Sequence, residues 1–595
     1  MNRLQTMRTN DFMITTDMKG AEIKLSLVEK IGEQVIFKIS VKSEKKMVPK
    51  PVKLEWKLPV GDILSVWSPL IGFSRCIAPN WRRTKCESKT AIGAPVLSLI
   101  HHDGTNACTV AVSDAKTPIE IGAGVSEEDA VFCCNVTFFT SYISPIDFYE
   151  AYIRLDFSTL SFTDVIKGVN HWWENDFGYY KAYVPKEAYL PMNSTWYSFH
   201  QNLDPQKLLE ECRISANLGM KTLIIDDGWQ TTDNHRGYQY CGDWKLSTEK
   251  IPNMKALTDD IHQLGMKVML WYSVPFVGIH SKAYQRFKDM ALKEEKGVLI
   301  VDVRYKEVRD YLVETYTATV QNFGLDGLKL DFIDKFQLLE DSPEVNDRMD
   351  IPSVEDALES LLKQVKYELV KINPEILLEF RQRYIGPIVL KYGNMIRVGD
   401  CPYDSMRNRA GIVDLRLTSG KTAVHSDMIM WSKDAPVEAV ARQLISTLFG
   451  VPQISVILEG LPKQQLEAIR FWIDFYTKNM DILHSHELYV KNPELGYSQV
   501  KTCNNGSLIG VNYANVPFEI GRFQKDSAKY TLINSSDEKQ IWINVTEEME
   551  ICKIRVCDCL GKMVSETSAV LHTGALMISV PVCGFVELTL DVDRI

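Results

Sequence analysis

The sequence predicts a multidomain protein: a central (β/α)8 TIM barrel flanked by an N-terminal β-sandwich and a small C-terminal antiparallel β domain. Three observations carry this. The chain has 595 residues, and single cores rarely organise more than about 250–300. Apolar strands alternate with amphipathic helices between residues 190 and 480, the pattern of parallel β/α units. On both sides of that region the runs are short, of period two, and broken by Gly, Pro and Asp.

In the first region, "FKISVK" alternates Phe37, Ile39 and Val41 with Lys38, Ser40 and Lys42, the mark of a half-buried strand. "VFCCNVTFF" is similar. Residues 1–185 are therefore expected to form a sandwich of antiparallel strands.

The barrel is expected over residues 186–484. "DPQKLLEECRISANLG" opens with Asp204 as N-cap and Pro205 at the first helical position. Leu208, Leu209, Cys212 and Ala216 share one face, and Gly219 ends the helix. The tetrapeptide "LGMK" stands at two helix-to-strand joints, 218–221 and 264–267. Eight strands follow the grammar: "STWYSF", "TLIIDD", "KVMLWY", "GLKLDF", "EILLEF", "NMIRVGD", "TAVHSDM" and "ISVILEG". A doubly wound open sheet would call for a Gly-rich phosphate turn after the first strand, and "STWYSFHQNLDP" has none. In the last region, 485–595, "CNNGSLIGVNY" carries a hairpin turn at Asn505-Gly506. "FVELTL" alternates Val586, Leu588 and Leu590 with Glu587 and Thr589.

A formal net charge of -10 argues against a nucleic-acid partner. No apolar stretch is long enough for a membrane span, and the first twenty residues lack the apolar core of a signal peptide. The compartment is left open between cytoplasmic and periplasmic. The 13 cysteines include no CxxC pair, so buried reduced thiols are expected, and no metal or other cofactor. "HSH" at 484–486 and "HHD" at 101–103 read as surface or hairpin residues.

The acids locate the chemistry. Asp226 and Asp227 end the second strand, Asp331 the fourth, Glu379 the fifth, Asp400 the sixth and Asp427 the seventh. In a barrel those ends open on one face, where active sites sit. Any one of them could instead cap a helix. Lys329 and Asp331 lie two apart and share the inward face of a strand, so an ion pair between them is expected, keeping Asp331 ionised. Asp400, or Asp404 beyond it, would supply a second carboxyl in a different environment. Two such carboxyls are the equipment of glycoside hydrolysis. Trp196, Trp229, Trp271 and Tyr272 near strand ends would offer faces for sugar rings, or else pack the core.

The motifs "LIIDDGWQ", "GLKLDF" and "IRVGD" resemble those of glycoside hydrolase family 36, related to family 27. The resemblance spans the barrel and extends to the layout of flanking β domains. It implies a retaining, exo-acting α-galactosidase with Asp331 as nucleophile and Asp400 as acid/base. Asp226 and Asp227 would bind hydroxyls of a terminal galactose, Lys329 would bond the sugar near the nucleophile, and Trp196 and Trp271 would wall the subsite. Arg397 and Asp427 match positions that line the same pocket. The spacing from Arg397 to Asp400 is one residue shorter than in several relatives, which keeps Asp404 as a second candidate. Where many relatives have a Cys/Gly-rich loop at the sugar C2 substituent, this chain has "EFRQRYIGP" with Arg381 and Arg383.

The expected partner is an oligosaccharide or glycoside ending in an α-linked galactose-like sugar, with no nucleic acid and no membrane. A homo-oligomer is the assembly by analogy. Alternatives are a transglycosidase of the raffinose-synthase type, an α-N-acetylgalactosaminidase, a metal-dependent barrel lyase and a non-catalytic sugar-binding protein.

Overall fold

The structure, a computed structural model, describes residues 5–9, 12–70, 72, 74–521 and 529–590. Two six-stranded antiparallel sheets form the N-terminal sandwich. The stretch read as "FKISVK" lies in the strand Gln34–Met47, with Ile39 and Val41 in the core between the sheets. Helix Phe162–Phe177 leads from the sandwich to the barrel.

The eight barrel strands are β1 (Met192–Ser194), β2 (Thr222–Ile225), β3 (Lys267–Ser273), β4 (Gly327–Asp331), β5 (Leu377–Arg381), β6 (Met395–Arg397), β7 (Ala423–His425) and β8 (Gln453–Ile454). All neighbours pair in parallel, and β8 pairs with β1. The sheet returns on itself through a parallel bridge between His425 and Val451, with Val451 N donating to Val424 O at 2.8 Å.

Two of the expected strands are displaced. The first ends at Ser194, and Trp196–Phe199 is a short helix. Tyr197 N and Ser198 N donate to Ser455 Oγ, and Phe199 N to Thr195 O, so the chain turns before Trp196 can continue the ladder. The eighth is only Gln453–Ile454, because Ser455 Oγ donates to Ser194 O and Ser455 N to Ile429 O. The helix opening at Pro205 does begin as read: Asp204 accepts from Gln206 N and Lys207 N, both at 3.0 Å.

Inside the cylinder the lowest layer is apolar: Met192, Ile224, Met269, Leu377, Met395 and Ala423. Gly327 lies level with Met269 and Leu377. A Cβ there would stand 2.4 Å from Leu377 O, so only glycine lets β4 and β5 approach. One pleat higher, Trp271, Lys329 and Glu379 are in register. Above them the strands end on Asp331, Arg381 and Arg397.

The C-terminal domain is a seven-stranded and a three-stranded sheet. Its Asn505-Gly506 turn joins Gln499–Asn504 to Ser507–Asn512, with both turn residues at positive φ. All three regions meet at Asp414, on the barrel helix Ser405–Ser419. From the sandwich, Arg75 Nη2 pairs with Asp414 Oδ2 at 2.5 Å and Trp67 Nε1 donates to Oδ1 at 2.9 Å. From the C-terminal domain, Tyr497 Oη donates to the same Oδ1 at 2.5 Å. The "HSH" segment is not a surface feature throughout: Tyr476 Oη lies 2.7 Å from His484 Nε2, and burial holds the imidazole well below its ordinary pKa.

Candidate active site

The site occupies the mouth of the barrel at the C-terminal strand ends. Lys329, third from last in β4, does not pair with Asp331 as expected. Its Nζ reaches Asp226 Oδ2 at 2.6 Å, and both side chains are buried. The alternation that puts Lys329 and Asp331 on one face also sets them one above the other, and the long lysine chain crosses β3 to the acid after β2.

Asp331 is held by other groups. Its Oδ1 accepts from Arg381 Nε at 2.6 Å, Tyr384 Oη at 2.5 Å and Phe332 N at 2.7 Å. Its Oδ2 accepts from Trp271 Nε1 at 3.2 Å. Burial pushes this carboxyl up. Arg381, Lys329, the Tyr384 bond and Arg397 outweigh it and hold Asp331 well below the usual carboxylate range. Tyr384 itself is driven far up by burial, so it stays a neutral donor.

Asp400 follows β6 by three residues. Its side chain is 56% exposed, and Arg397 Nη2 donates to its Oδ1 at 2.9 Å. Desolvation at the rim pushes its carboxyl up, but Arg397, Arg381 and Lys329 together leave it below the ordinary range. The same three cations act on Asp331. Both carboxyls are therefore under the influence of one cation cluster, from strands two apart around the mouth. Asp404 is engaged elsewhere: it caps the helix Ser405–Ser419, accepting from Arg407 N at 2.9 Å.

Arg397 is fully buried and joins Asp400 to Asp427 through its two terminal nitrogens. Asp427 also accepts from Cys401 N at 2.7 Å and Tyr197 Oη at 3.1 Å; burial raises it and Arg397 opposes that. Asp227 accepts from Gln201 Nε2 and Gln230 Nε2, both at 2.7 Å. Burial raises its carboxyl to about 6.

Of the aromatics, Trp271 contacts Asp331 directly. Trp196 is half-buried, with the Arg236 guanidinium 5.8 Å from its ring centre. Trp229 is core, its Nε1 donating to Trp271 O. Arg383 is half exposed and turns toward Glu87 of the sandwich at 3.9 Å, away from Asp331. Tyr384, Gln201, Gln230 and Tyr197 are site residues that the sequence reading did not single out. All four lie on segments just beyond strand ends, where barrel sites draw their side chains. Among the described residues, no group of three or more His, Cys, Asp or Glu is arranged to hold a metal ion.

The fold and this constellation set two carboxyls, Asp331 and Asp400, at strand ends of one parallel barrel. The family model described as Melibiase matches residues 159–380 of the chain. Over 166 residues it is 30% identical to Alpha-galactosidase 2 of Pediococcus pentosaceus, covering 26% of this chain and 23% of that protein. Over 160 residues it is 26% identical to Alpha-galactosidase AgaA of Geobacillus stearothermophilus, covering 25% and 21%. These matches thus span under a quarter of the length of those curated relatives. Among solved structures, a variant of the AgaA enzyme in complex with raffinose superposes with TM-score 0.63 at 13% identity, over 99% of this chain and 85% of that one. The α-galactosidase from Lactobacillus brevis superposes with TM-score 0.63 at 12% identity, over 100% and 84%. The chain is thus similar to α-galactosidases over part of its barrel, and it shares with the solved family 36 structures the fold of sandwich, barrel and C-terminal domain.

Proposed function

We propose that this protein is a retaining, exo-acting α-galactosidase that removes terminal α-linked galactose from oligosaccharides by double displacement. Asp331 attacks the anomeric carbon while Asp400 protonates the departing oxygen. Water then enters with Asp400 as base and releases the sugar with its configuration kept. Asp226, Asp227 and Lys329 form a polar floor suited to sugar hydroxyls, and Trp196 and Trp271 are its apolar walls. Arg397 and Asp427 hold Asp400 in place.

The observation that carries this reading is the state of Asp331. It is a buried carboxylate kept ionised by Arg381 and three further donors, at the mouth of a barrel, with a half-exposed second acid two strands further round. A permanently ionised, fixed carboxylate is what a nucleophile requires. In support, the curated relatives are α-galactosidases, and one of the solved relatives holds raffinose.

The test is Asp331→Ala on an aryl α-galactoside. Turnover should fall by several orders of magnitude and recover in part with azide, and proton NMR of the parent reaction should show α-galactose as the first product. Near-normal hydrolysis by the variant, or β-galactose first, would sink the proposal. A panel of aryl α-glycosides of galactose, N-acetylgalactosamine and glucose fixes the sugar. An added sugar acceptor separates hydrolysis from transfer.

A further inference from the structure

We propose that Arg381 is a positioning residue that selects Oδ2 of Asp331 as the attacking atom and sets the balance between the two halves of the reaction. This rests on Asp331 being the nucleophile.

The two oxygens of Asp331 are unequally used. Oδ1 carries three short bonds, from Arg381 Nε, Tyr384 Oη and Phe332 N. A carboxylate oxygen offers about two lone-pair sites, so Oδ1 is saturated. Oδ2 carries one bond of 3.2 Å, from Trp271. The lone pair left for an incoming carbon is on Oδ2. Arg381 is itself fixed. Its Nη1 donates to Gln382 O at 3.2 Å, and its guanidinium lies 5.3 and 5.4 Å from the ring centres of Phe332 and Tyr384. It cannot follow the carboxylate if that rotates, so it prevents the two oxygens from exchanging roles.

Arg381 is the one charged donor among the four, and its effect differs along the reaction. In the first half, the Oδ2 lone pair forms the bond to C1 as the bond to the leaving oxygen breaks. That oxygen takes the proton of Asp400. Asp331 becomes a neutral ester whose carbonyl oxygen is Oδ1, and Arg381 exchanges an ion pair for a weaker bond to a neutral acceptor. In the second half, water attacks C1 and gives its proton to Asp400. The C1–Oδ2 electron pair returns to Asp331, and the ion pair is restored. Arg381 thus slows formation of the ester and hastens its breakdown. A neutral residue here should trap the chain at the covalent stage.

Stopped-flow release of p-nitrophenolate from its α-galactoside reads this directly. The parent should show no burst. Arg381→Met should show a burst approaching one equivalent per active site, with a steady state roughly tenfold or more slower that azide accelerates. Arg381→Lys, which keeps the charge, should show a much smaller burst. Tyr384→Phe removes a neutral donor from the same oxygen and should give a modest burst, which keeps the test available if Arg381→Met does not fold. A full burst in the parent overturns the proposal. So does an Arg381→Met protein that is slow, burst-free and indifferent to azide, or a Tyr384→Phe protein without a burst. Asp331→Ala separates the two levels. If it turns over normally, the nucleophile assignment has failed. If it is inactive and azide-rescued while the Arg381 and Tyr384 variants show no burst, only the role of Arg381 has.

Discussion

Lys329 and Asp226 form a buried ion pair of 2.6 Å that spans two strand spacings across the barrel interior, with side chains 5% and 4% exposed. Breaking such a pair from one side leaves the other charge without compensation, which costs about 3–5 kcal/mol. Lys329→Met and Asp226→Asn should each lower stability by that order in urea unfolding at pH 7. The double variant should cost less than their sum, because neither charge is left behind. Additive losses would contradict the pairing.

Asp227 gives stability a pH dependence of definite sign. Its carboxyl sits near 6 in the folded chain against an ordinary value of 3.8, so folding takes up a proton between those values. The contribution is fully present below about pH 4 and is lost as pH rises through 6, with a total of about 3 kcal/mol. Unfolding measured from pH 4 to 8 should show this decline, and Asp227→Asn should flatten it. If Asp227 also accepts hydroxyls of the bound sugar, KM should rise as pH falls below 6.

Asp400 should matter in proportion to how badly the leaving group needs a proton. Asp400→Ala should lose about 10²–10⁴-fold on an α-galactosyl disaccharide and far less in the first step on a dinitrophenyl galactoside. Because Arg397 and Arg381 hold Asp400 below the ordinary range, its protonated fraction shrinks as pH rises from the acid side. For the disaccharide, kcat/KM should therefore peak at acid pH and fall toward neutrality. A profile for Asp400→Ala that matches the parent's would remove the acid role from this residue.

Asp414 is the acid on which all three regions converge, 5% exposed and bonded by Arg75, Trp67 and Tyr497. Asp414→Ala would leave the Arg75 charge uncompensated in the interface and the buried Tyr497 hydroxyl without its acceptor, while Trp67 Nε1 keeps its bond to Tyr497 Oη. The expected loss is about 3–5 kcal/mol, read as a lower melting temperature, with the catalytic constants of the folded fraction unchanged. An unaltered melting curve would show that the junction carries no stability.

How far the sequence reached depended on which signals are local. Apolar runs flanked by Gly and acids marked β2 to β7, because buried parallel strands need no long-range information to be recognised. The ends of β1 and β8 were not legible: the Thr, Trp and Tyr after Ser194 suit a strand, and only serine bonds between β1 and β8 stop it there. The partner of Lys329 depended on distance through the barrel, which spacing along one strand does not encode. Tyr384, Gln201 and Gln230 lie in aperiodic loops, and their roles follow from where the loops return. Trp229 was ambiguous from sequence, since the ring that could face a sugar equally fills a core.

Gln382 ties the sandwich to the loop that holds the nucleophile's partner Arg381 and to the loop that bears the acid. Its Nε2 donates to Pro69 O at 2.7 Å, and its Oε1 accepts from Gly399 N at 3.2 Å. Gln382 directly follows Arg381, and Gly399 directly precedes Asp400. The amino-terminal module is therefore a brace on the gap between nucleophile and acid. Exchanging that module for one from a relative would retune catalytic geometry without altering a single barrel residue, and deleting it would release the two loops together.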